Sequence, residues 1–204
     1  MKMKQPTKSE TLFRQYCELL SYAVEKIPEA TNRTPDFRVV TPSGAIIAEI
    51  KEARPNDEDI RMAAELKAGK CTGFCELPGK RVRAMLKEAT GQTRDSSSDR
   101  LPSIVILYDN VVVEGERPRS PNSFFTGFDI TNGMYAQLET VVTFAGQTNE
   151  VVETRNQLGG KRTLRFNKER QISAVCVMTE DMKLNHPYLH VYHNSFASLP
   201  LSRR

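Results

Sequence analysis

Residues 35–51 read PDFRVVTPSGAIIAEIK, and this stretch predicts a β-hairpin. Val39 and Val40 are β-branched and favour a strand. Pro42–Gly44 is a turn signal, and the apolar residues that follow it, beginning at Ala45, predict a second strand. Because the turn is short, the two strands are expected to pair directly with each other.

Three charged side chains are expected to meet at the open end of this hairpin. Side chains two residues apart on a strand share one face, so Glu49 and Lys51 point the same way while Ile50 points into the opposite layer. Asp36 begins the first strand, and the hairpin folds it back towards Glu49. Two carboxylates and one ammonium are therefore expected to converge at one end of the hairpin.

This set of groups is typical of phosphodiester hydrolysis. Hard divalent cations such as Mg²⁺ or Mn²⁺ prefer carboxylate and carbonyl oxygens, which Asp36, Glu49 and the main-chain carbonyl of Ile50 would supply. Such an ion polarises a phosphate oxygen and lowers the pKa of a bound water. Lys51 would orient or help to deprotonate that water, or balance the charge that develops on the phosphate. Asp36, Glu49 and Lys51 are therefore the candidate catalytic residues.

The motif resembles the signature of a known nuclease superfamily. Pro35-Asp36, twelve intervening residues and then Glu49-Ile50-Lys51 are similar to the pattern of the PD-(D/E)xK nucleases, which include restriction endonucleases, archaeal Holliday-junction resolvases and RecB-type nucleases. The resemblance implies a mixed sheet flanked by helices, with the order helix, hairpin, helix, strand around the site. It also implies a Mg²⁺- or Mn²⁺-dependent endonuclease that acts on DNA, of a type that often pairs as a homodimer. It covers roughly residues 9–108, and the strands expected later are compatible with it.

The resemblance implies further site residues. Many members add an acidic residue from the first helix, where the candidates are Glu10 and Glu18. Glu18 lies off the apolar stripe of that helix and is included among the catalytic candidates, with a solvated helix position as the alternative. Some members carry a glutamine after the active-site strand, where Gln92 stands. Glu52 adjoins the motif but points away from Lys51, so a solvated or structural role is expected for it.

The rest of the chain predicts one α/β domain, residues 1–204, with a central sheet and flanking helices. The resemblance implies that this sheet is the mixed, restriction-endonuclease-like one. Ile104–Tyr108 is an apolar run typical of a buried central strand. The first helix has Ser9 as its expected N-cap and Pro28 as its stop. Helices are expected at 9–27, from 56 or 57 to 67, and 81–92; strands at 161–166, 173–178 and 189–192; loops at 68–79, 93–100 and 114–125; and residues 129–144 fit either a helix or a strand.

The composition fits a soluble protein with a polyanionic partner. The 204 residues are 39% hydrophobic and 26% charged, and the net charge of +4, with a sequence pI of about 8.9, favours contact with phosphates. No run of about 18 apolar residues occurs, and no apolar stretch follows the basic N-terminus, so neither a membrane span nor a secretory signal is expected. Cys17, Cys71, Cys75 and Cys176 are expected to be reduced thiols in a cytoplasmic protein.

Other signals are weaker. Cys71 and Cys75 form half of a zinc site, but no second pair is spaced to complete the four ligands of structural zinc. His186, His190 and His193 could serve as ligands or general bases, although the residues around them alternate like a strand at a sheet edge. The chain has neither a P-loop nor a dinucleotide glycine pattern, so no nucleotide cofactor is expected. If the metal site is real, the candidates for contacts with backbone phosphates are Lys80, Arg81, Arg83, Lys87, Arg117, Arg119, Lys161, Arg162, Arg165, Lys168 and Arg170.

Two other classes of function stay open. A non-catalytic nuclease-like module could bind nucleic acid or a protein partner, although a retired site need not keep Asp36, Glu49 and Lys51 together. An unrelated metabolic or structural α/β protein would place Asp36 and Glu49 far apart, beyond the reach of one ion.

Overall fold

The structure is a computed structural model that describes residues 5–28, 34–70, 79–95, 101–110, 127–135, 138–144, 151–158, 170–181 and 186–201. The helices in these stretches are α1 (Lys8–Leu19), α2 (Asp57–Lys67), α3 (Lys80–Asp95) and α4 (Gly127–Met134). The strands are β1 (Ala23–Lys26), β2 (Phe37–Thr41), β3 (Gly44–Ala53), β4 (Ser103–Asp109), β5 (Leu138–Phe144), β6 (Val151–Leu158), β7 (Ile172–Asp181) and β8 (His186–His193). None of the helices in the described stretches has the length and apolar character needed to cross a bilayer.

Six strands form one mixed sheet in the order β1-β2-β3-β4-β7-β8. The pairs β1–β2, β2–β3 and β7–β8 are antiparallel, whereas β3–β4 and β4–β7 are parallel. Strands β5 and β6 form a separate antiparallel pair. The expectation of an α/β fold with a mixed central sheet and flanking helices is confirmed at this level.

Strands β2 and β3 form the predicted hairpin. The register pairs Thr41 with Gly44 at the turn and Phe37 with Ala48 near the open end. Gly44 has a φ of +126°, a conformation that residues with a Cβ rarely adopt. The glycine therefore allows the tight reversal that sets the register of the whole hairpin.

Strand β4 is the buried central strand that its apolar run predicts. Residues 103–108 are all buried, and β4 pairs in parallel with both of its neighbours. Its Val105 lies opposite Glu49 and its Leu107 lies opposite Lys51. The carboxyl half of β3 is therefore held against the core of the sheet, which fixes the position of the two charged residues.

Helices cover both faces of the sheet, and β3 contributes alternate residues to the two layers. On one face α1 packs over a cluster that contains Ile50 and Ile106. On the other face α3 and α4 pack over a cluster that contains Leu107. Glu49 and Lys51 lie on this second face, so Ile50 points into the layer opposite to them, as strand alternation predicts.

The expected helix over residues 9–27 is wrong beyond Leu19. Ser21 has a φ of 58°, in the left-handed region, and its amide donates to the carbonyl of Glu18 at 2.9 Å, which ends the helix. Residues 23–26 then form β1, which pairs with β2. The apolar spacing of this segment suits a helix, but hydrogen bonding to the edge of the hairpin outweighs that local preference.

The N-cap of α1 is Thr7 and not Ser9. The Thr7 side chain accepts a hydrogen bond from the amide of Glu10, and the Glu10 carboxylate accepts one from the amide of Thr7, which makes a capping box. Ser9 is buried in the first turn, and its amide and hydroxyl both donate to Glu52 on β3. This contact fixes the start of α1 against the strand that carries the site.

The other expected elements fall partly within the described stretches. Helix α2 agrees with its prediction, and α3 continues to Asp95, so residues 93–95 are helical and not part of a loop. Residues 129–144 include both part of α4 and β5, which explains their ambiguous pattern. Strands β7 and β8 contain the expected strands 173–178 and 189–192, whereas β6 is not predicted. The expected strand 161–166, the loop 114–125 and residues 71–78 and 96–100 lie outside the described residues.

Candidate functional site

The hairpin brings Asp36 against the strand that carries Glu49 and Lys51. The register pairs Phe37 with Ala48, and the next residues outward, Asp36 and Glu49, follow at the open end of the hairpin. Asp36 Oδ2 accepts a hydrogen bond from the main-chain amide of Ile50 at 2.9 Å. The three residues expected from the motif therefore lie together, and Asp36 is attached to the motif through its main chain.

Glu49 is a buried carboxylate with one oxygen to spare. Its side chain is 1% exposed, and Oε1 lies 3.1 Å from Lys51 Nζ. Oε2 is buried and has no hydrogen-bond partner among the described residues. Burial, and then the charge of Asp36, raise the pKa of Glu49 from 4.5 to about 7, against the lowering effects of Lys51 and of a hydrogen bond from the main chain of Asp36. A buried carboxylate oxygen without a hydrogen bond lowers the stability of the fold unless a positively charged group binds it.

Lys51 is held by three acceptors. Its Nζ lies 3.1 Å from Glu49 Oε1 and 2.7 Å from both Glu88 Oε1 and Gln92 Oε1. An ammonium has three N–H donors, so each acceptor can take one. Gln92 stands where the resemblance suggests a glutamine. Glu88 was not predicted, although its position one helical turn before Gln92 places the two side chains on one face of α3.

Lys26 is a second ammonium at the site, and sequence reasoning missed it. Its Nζ lies 3.0 Å from Asp36 Oδ1 and also contacts the carboxylate of Glu10. Burial acts to lower the pKa of Lys26, but the hydrogen bonds to Glu10 and Asp36 outweigh burial and raise it. Each oxygen of Asp36 therefore has a donor, namely Lys26 for one and the amide of Ile50 for the other.

Of the two acidic candidates on α1, Glu10 is the one that the structure connects to the site. Glu10 binds Lys26, which binds Asp36. Glu18 is exposed and lies eight residues further along the helix, about 12 Å along its axis. The first turn of α1, and not the turn that carries Glu18, approaches the hairpin, and the catalytic role of Glu18 stays a prediction.

Glu52 points into the layer opposite to Lys51, as alternation predicts, and connects separate elements. It accepts hydrogen bonds from Ser9, from Asn110 Nδ2 at 3.0 Å and from Arg54 Nε at 3.2 Å. Burial acts to raise the pKa of Glu52, but these hydrogen bonds outweigh it and lower the pKa. Its role is therefore to join α1, β3 and the segment after β4.

The oxygen atoms at the open end of the hairpin are of the chemical type that a hard divalent cation such as Mg²⁺ or Mn²⁺ prefers. Asp36, just before β2, and Glu49, on β3, supply carboxylates, and Oε2 of Glu49 has no hydrogen-bond partner among the described residues. The main-chain carbonyl of Ile50 is the third candidate ligand. The described residues contain no metal-binding group of three or more His, Cys, Asp or Glu side chains. The set proposed from the sequence has only two carboxylate side chains, and its third ligand is a main-chain carbonyl, so it is not a group of this kind.

Several basic candidates on α3 have structural partners. Arg81 forms an ion pair with Asp59 on α2 at 2.7 Å, and Arg83 donates to the carbonyl of Asn132 on α4 at 3.1 Å. Lys87 is exposed on the helix that holds Lys51. Lys80, on the same helix, and Arg170, just before β7, are exposed as well. The candidates Arg117, Arg119, Lys161, Arg162, Arg165 and Lys168 lie outside the described residues.

The three histidines lie on β8, at one edge of the sheet. The alternating pattern predicted this for His190 and His193, whereas His186 lies before the expected strand. His190 packs edge-on against Tyr188, with their ring centroids 4.9 Å apart. Strands β4 and β7 separate β8 from β3, a distance of about 14 Å across the sheet. The histidines therefore do not join Glu49 and Lys51. Cys71 and Cys75 lie outside the described residues.

No protein-family model, curated protein or solved structure matches the chain.

Proposed function

We propose that the chain is a metal-dependent nuclease of the PD-(D/E)xK type, which hydrolyses phosphodiester bonds in DNA. The observation that carries the proposal is the buried carboxylate of Glu49. One of its oxygens binds Lys51, and the other has no hydrogen-bond partner among the described residues. An ion pair with a purely structural role would be expected to satisfy both oxygens. A carboxylate that faces Asp36 with an oxygen to spare instead suits a cation.

Asp36, Glu49 and the main-chain carbonyl of Ile50 would hold the Mg²⁺ or Mn²⁺ ion. The ion would polarise a phosphate oxygen and lower the pKa of a water. The hydrogen bond from the Ile50 amide keeps the Asp36 carboxylate turned towards β3. The ligands are thus oriented by regular strands before a substrate binds, which favours catalysis by positioned charges.

Lys51 supplies positive charge and N–H donors beside the phosphate. Its side chain is 11% exposed, so most of it is buried, and its ammonium lies among protein acceptors. Charge interactions are stronger in such a partly buried place than in water. An ammonium can balance the charge that develops on a phosphate but has no lone pair with which to take a proton. The charge-balancing role therefore has more support than the role of general base.

Two features support a nucleic-acid substrate. The chain carries a net charge of +4, which favours binding to a polyanion. Lys87 is exposed on α3, the helix that holds Lys51, where it can meet a phosphate backbone.

The test is a cleavage assay with purified protein, Mg²⁺ or Mn²⁺, and plasmid, linear, single-stranded and branched DNA. The expected result is metal-dependent cutting that EDTA abolishes. Lys51→Ala should lose cutting while it keeps the circular dichroism spectrum of the wild type. Lys67→Ala removes an exposed lysine from α2 and should cut like the wild type.

Equal activity of Lys51→Ala and the wild type would contradict the role of Lys51. Tight, metal-independent DNA binding without cleavage on any substrate would favour the non-catalytic module that binds nucleic acid.

A further inference from the structure

The three acceptors of Lys51 differ in how far they meet solvent. Glu49 is 1% exposed and Gln92 is half-buried, whereas the Glu88 side chain is 67% exposed. Glu88 is nevertheless bound closely, with its Oε1 2.7 Å from Lys51 Nζ. Glu88 is therefore the acceptor of Lys51 that is most open to solvent.

We infer that Glu88 occupies the position at which a phosphate oxygen of the substrate binds Lys51, and that it thereby limits the affinity of the site for nucleic acid. The inference rests on the proposed function. A carboxylate and a phosphodiester both offer anionic oxygens to an ammonium at similar distances. A phosphate that enters from solvent would take the donor of Lys51 that Glu88 holds, while Glu49 and Gln92 keep the other two.

The exchange is easy because the Lys51–Glu88 ion pair has one exposed partner. Solvent screens such a pair, so little stability is lost when it breaks. After the exchange, the Glu88 carboxylate remains near the incoming phosphate and repels it. Glu88 therefore weakens substrate binding, whereas the hold of Glu49 and Gln92 on Lys51 is unchanged. Removal of the Glu88 charge should therefore change KM and DNA affinity more than it changes kcat.

A role of Glu88 in positioning Lys51 would predict weaker binding and lower activity when Glu88 is lost. If Glu88 mainly positions Lys51, its loss frees the ammonium to take other rotamers, which lowers kcat and weakens binding. The two roles can be separated by a variant that removes the charge of Glu88 and keeps its shape.

Glu88→Gln is that variant, because it retains an acceptor oxygen. Its affinity for a fluorescein-labelled DNA oligonucleotide, single-stranded or annealed, is measured by fluorescence anisotropy in EDTA. We expect binding about two- to fivefold tighter than that of the wild type. With Mg²⁺, KM for cleavage should fall by a similar factor and kcat should change little. Glu58→Gln removes the same charge from a half-exposed position on α2 and should leave binding nearly unchanged.

The double variant Lys51→Ala with Glu88→Gln shows whether the effect passes through Lys51. The gain from Glu88→Gln should vanish in the Lys51→Ala background. No gain, weaker binding, a gain that persists without Lys51, or an equal gain in Glu58→Gln would each overturn the inference. If the wild type cleaves nothing but the gain and its dependence on Lys51 are intact, the nuclease proposal fails and the anion site at Lys51 stands.

Discussion

Asp36 accepts a hydrogen bond from the main-chain amide of Ile50 at 2.9 Å, and Ile50 is the residue between Glu49 and Lys51. The other oxygen of Asp36 lies 3.0 Å from Lys26 Nζ. Asp36 comes immediately before β2, so this contact lies at the open end of the hairpin, where the two strands would otherwise separate. The carboxylate thus joins β1, β2 and β3 at the site.

This contact predicts a stability effect that does not depend on catalysis. Asp36→Ala should lower the free energy of unfolding by about 1–3 kcal/mol, because the Ile50 amide and the Lys26 ammonium both lose an ionised acceptor. Asp36→Asn keeps an oxygen for the Ile50 amide and should lose less. Urea unfolding of the metal-free proteins measures both. Equal losses in the two variants would show that the charge matters and the hydrogen bond does not.

Removal of the Glu49 charge, unlike removal of the Asp36 charge, should stabilise the metal-free protein. The folded-state pKa of Glu49, about 7, is above the ordinary 4.5, so the wild type gains stability as the pH falls from above 7 towards 4.5. Glu49→Gln removes the buried charge and should be more stable than the wild type at about pH 8, by up to about 3 kcal/mol. The difference should shrink at about pH 5. Unfolding in EDTA at both pH values is the measurement, and a destabilised variant at about pH 8 would count against the buried charge.

The contacts of Glu180 predict that the stability of the fold decreases in acid. The Glu180 carboxylate, at the end of β7, accepts a hydrogen bond from the Tyr108 hydroxyl and lies 2.9 Å from Lys8 Nζ. Burial acts to raise the pKa of Glu180, but these two partners outweigh burial and lower it from 4.5. The stability it contributes should be complete above about pH 4.5 and lost below it.

The measurement for Glu180 compares urea unfolding of the wild type and Glu180→Gln from about pH 7 down to about pH 3.5. The wild type should be the more stable protein at the upper end, and the difference should disappear at the lower end. Glu58→Gln, a surface variant with the same charge change, controls for net charge. A difference that is constant with pH would contradict the assignment.

Ser21 offers a test of the boundary between α1 and β1. Its φ of 58° is costly for a residue with a Cβ, so Ser21→Gly should stabilise the protein by about 0.5–1 kcal/mol. If residues 9–27 formed one helix, the same substitution would instead cost about 0.5–1 kcal/mol. Thermal unfolding distinguishes the two signs.

The hairpin, the central strand and the convergence of Asp36, Glu49 and Lys51 were predictable because each depends on local patterns. A turn at Pro42–Gly44 and strand alternation are enough to place these side chains together. Glu52 was also correctly assigned to the opposite layer on the same basis.

The second ammonium could not be predicted in the same way. Lys26 falls in a segment whose apolar spacing suits a helix, and the turn before it has a serine, not a glycine, at the left-handed position. Its strand exists because β2 offers an edge to pair with, which is a tertiary effect. Glu88 was missed for a similar reason, since its role depends on how α3 lies over β3. Glu10 was a candidate, but nothing local shows which turn of α1 faces the hairpin.

The alternation of β3 between two layers also limits how this chain can change in length. One residue inserted or deleted between Ala45 and Glu49 would turn the charged pair into the apolar layer under α1 and bring Ile50 to the other side. A change of two residues would keep the faces but shift the pair along β4 by about 6.6 Å, away from α3. An insertion or deletion within β3 would therefore displace Glu49 and Lys51 together.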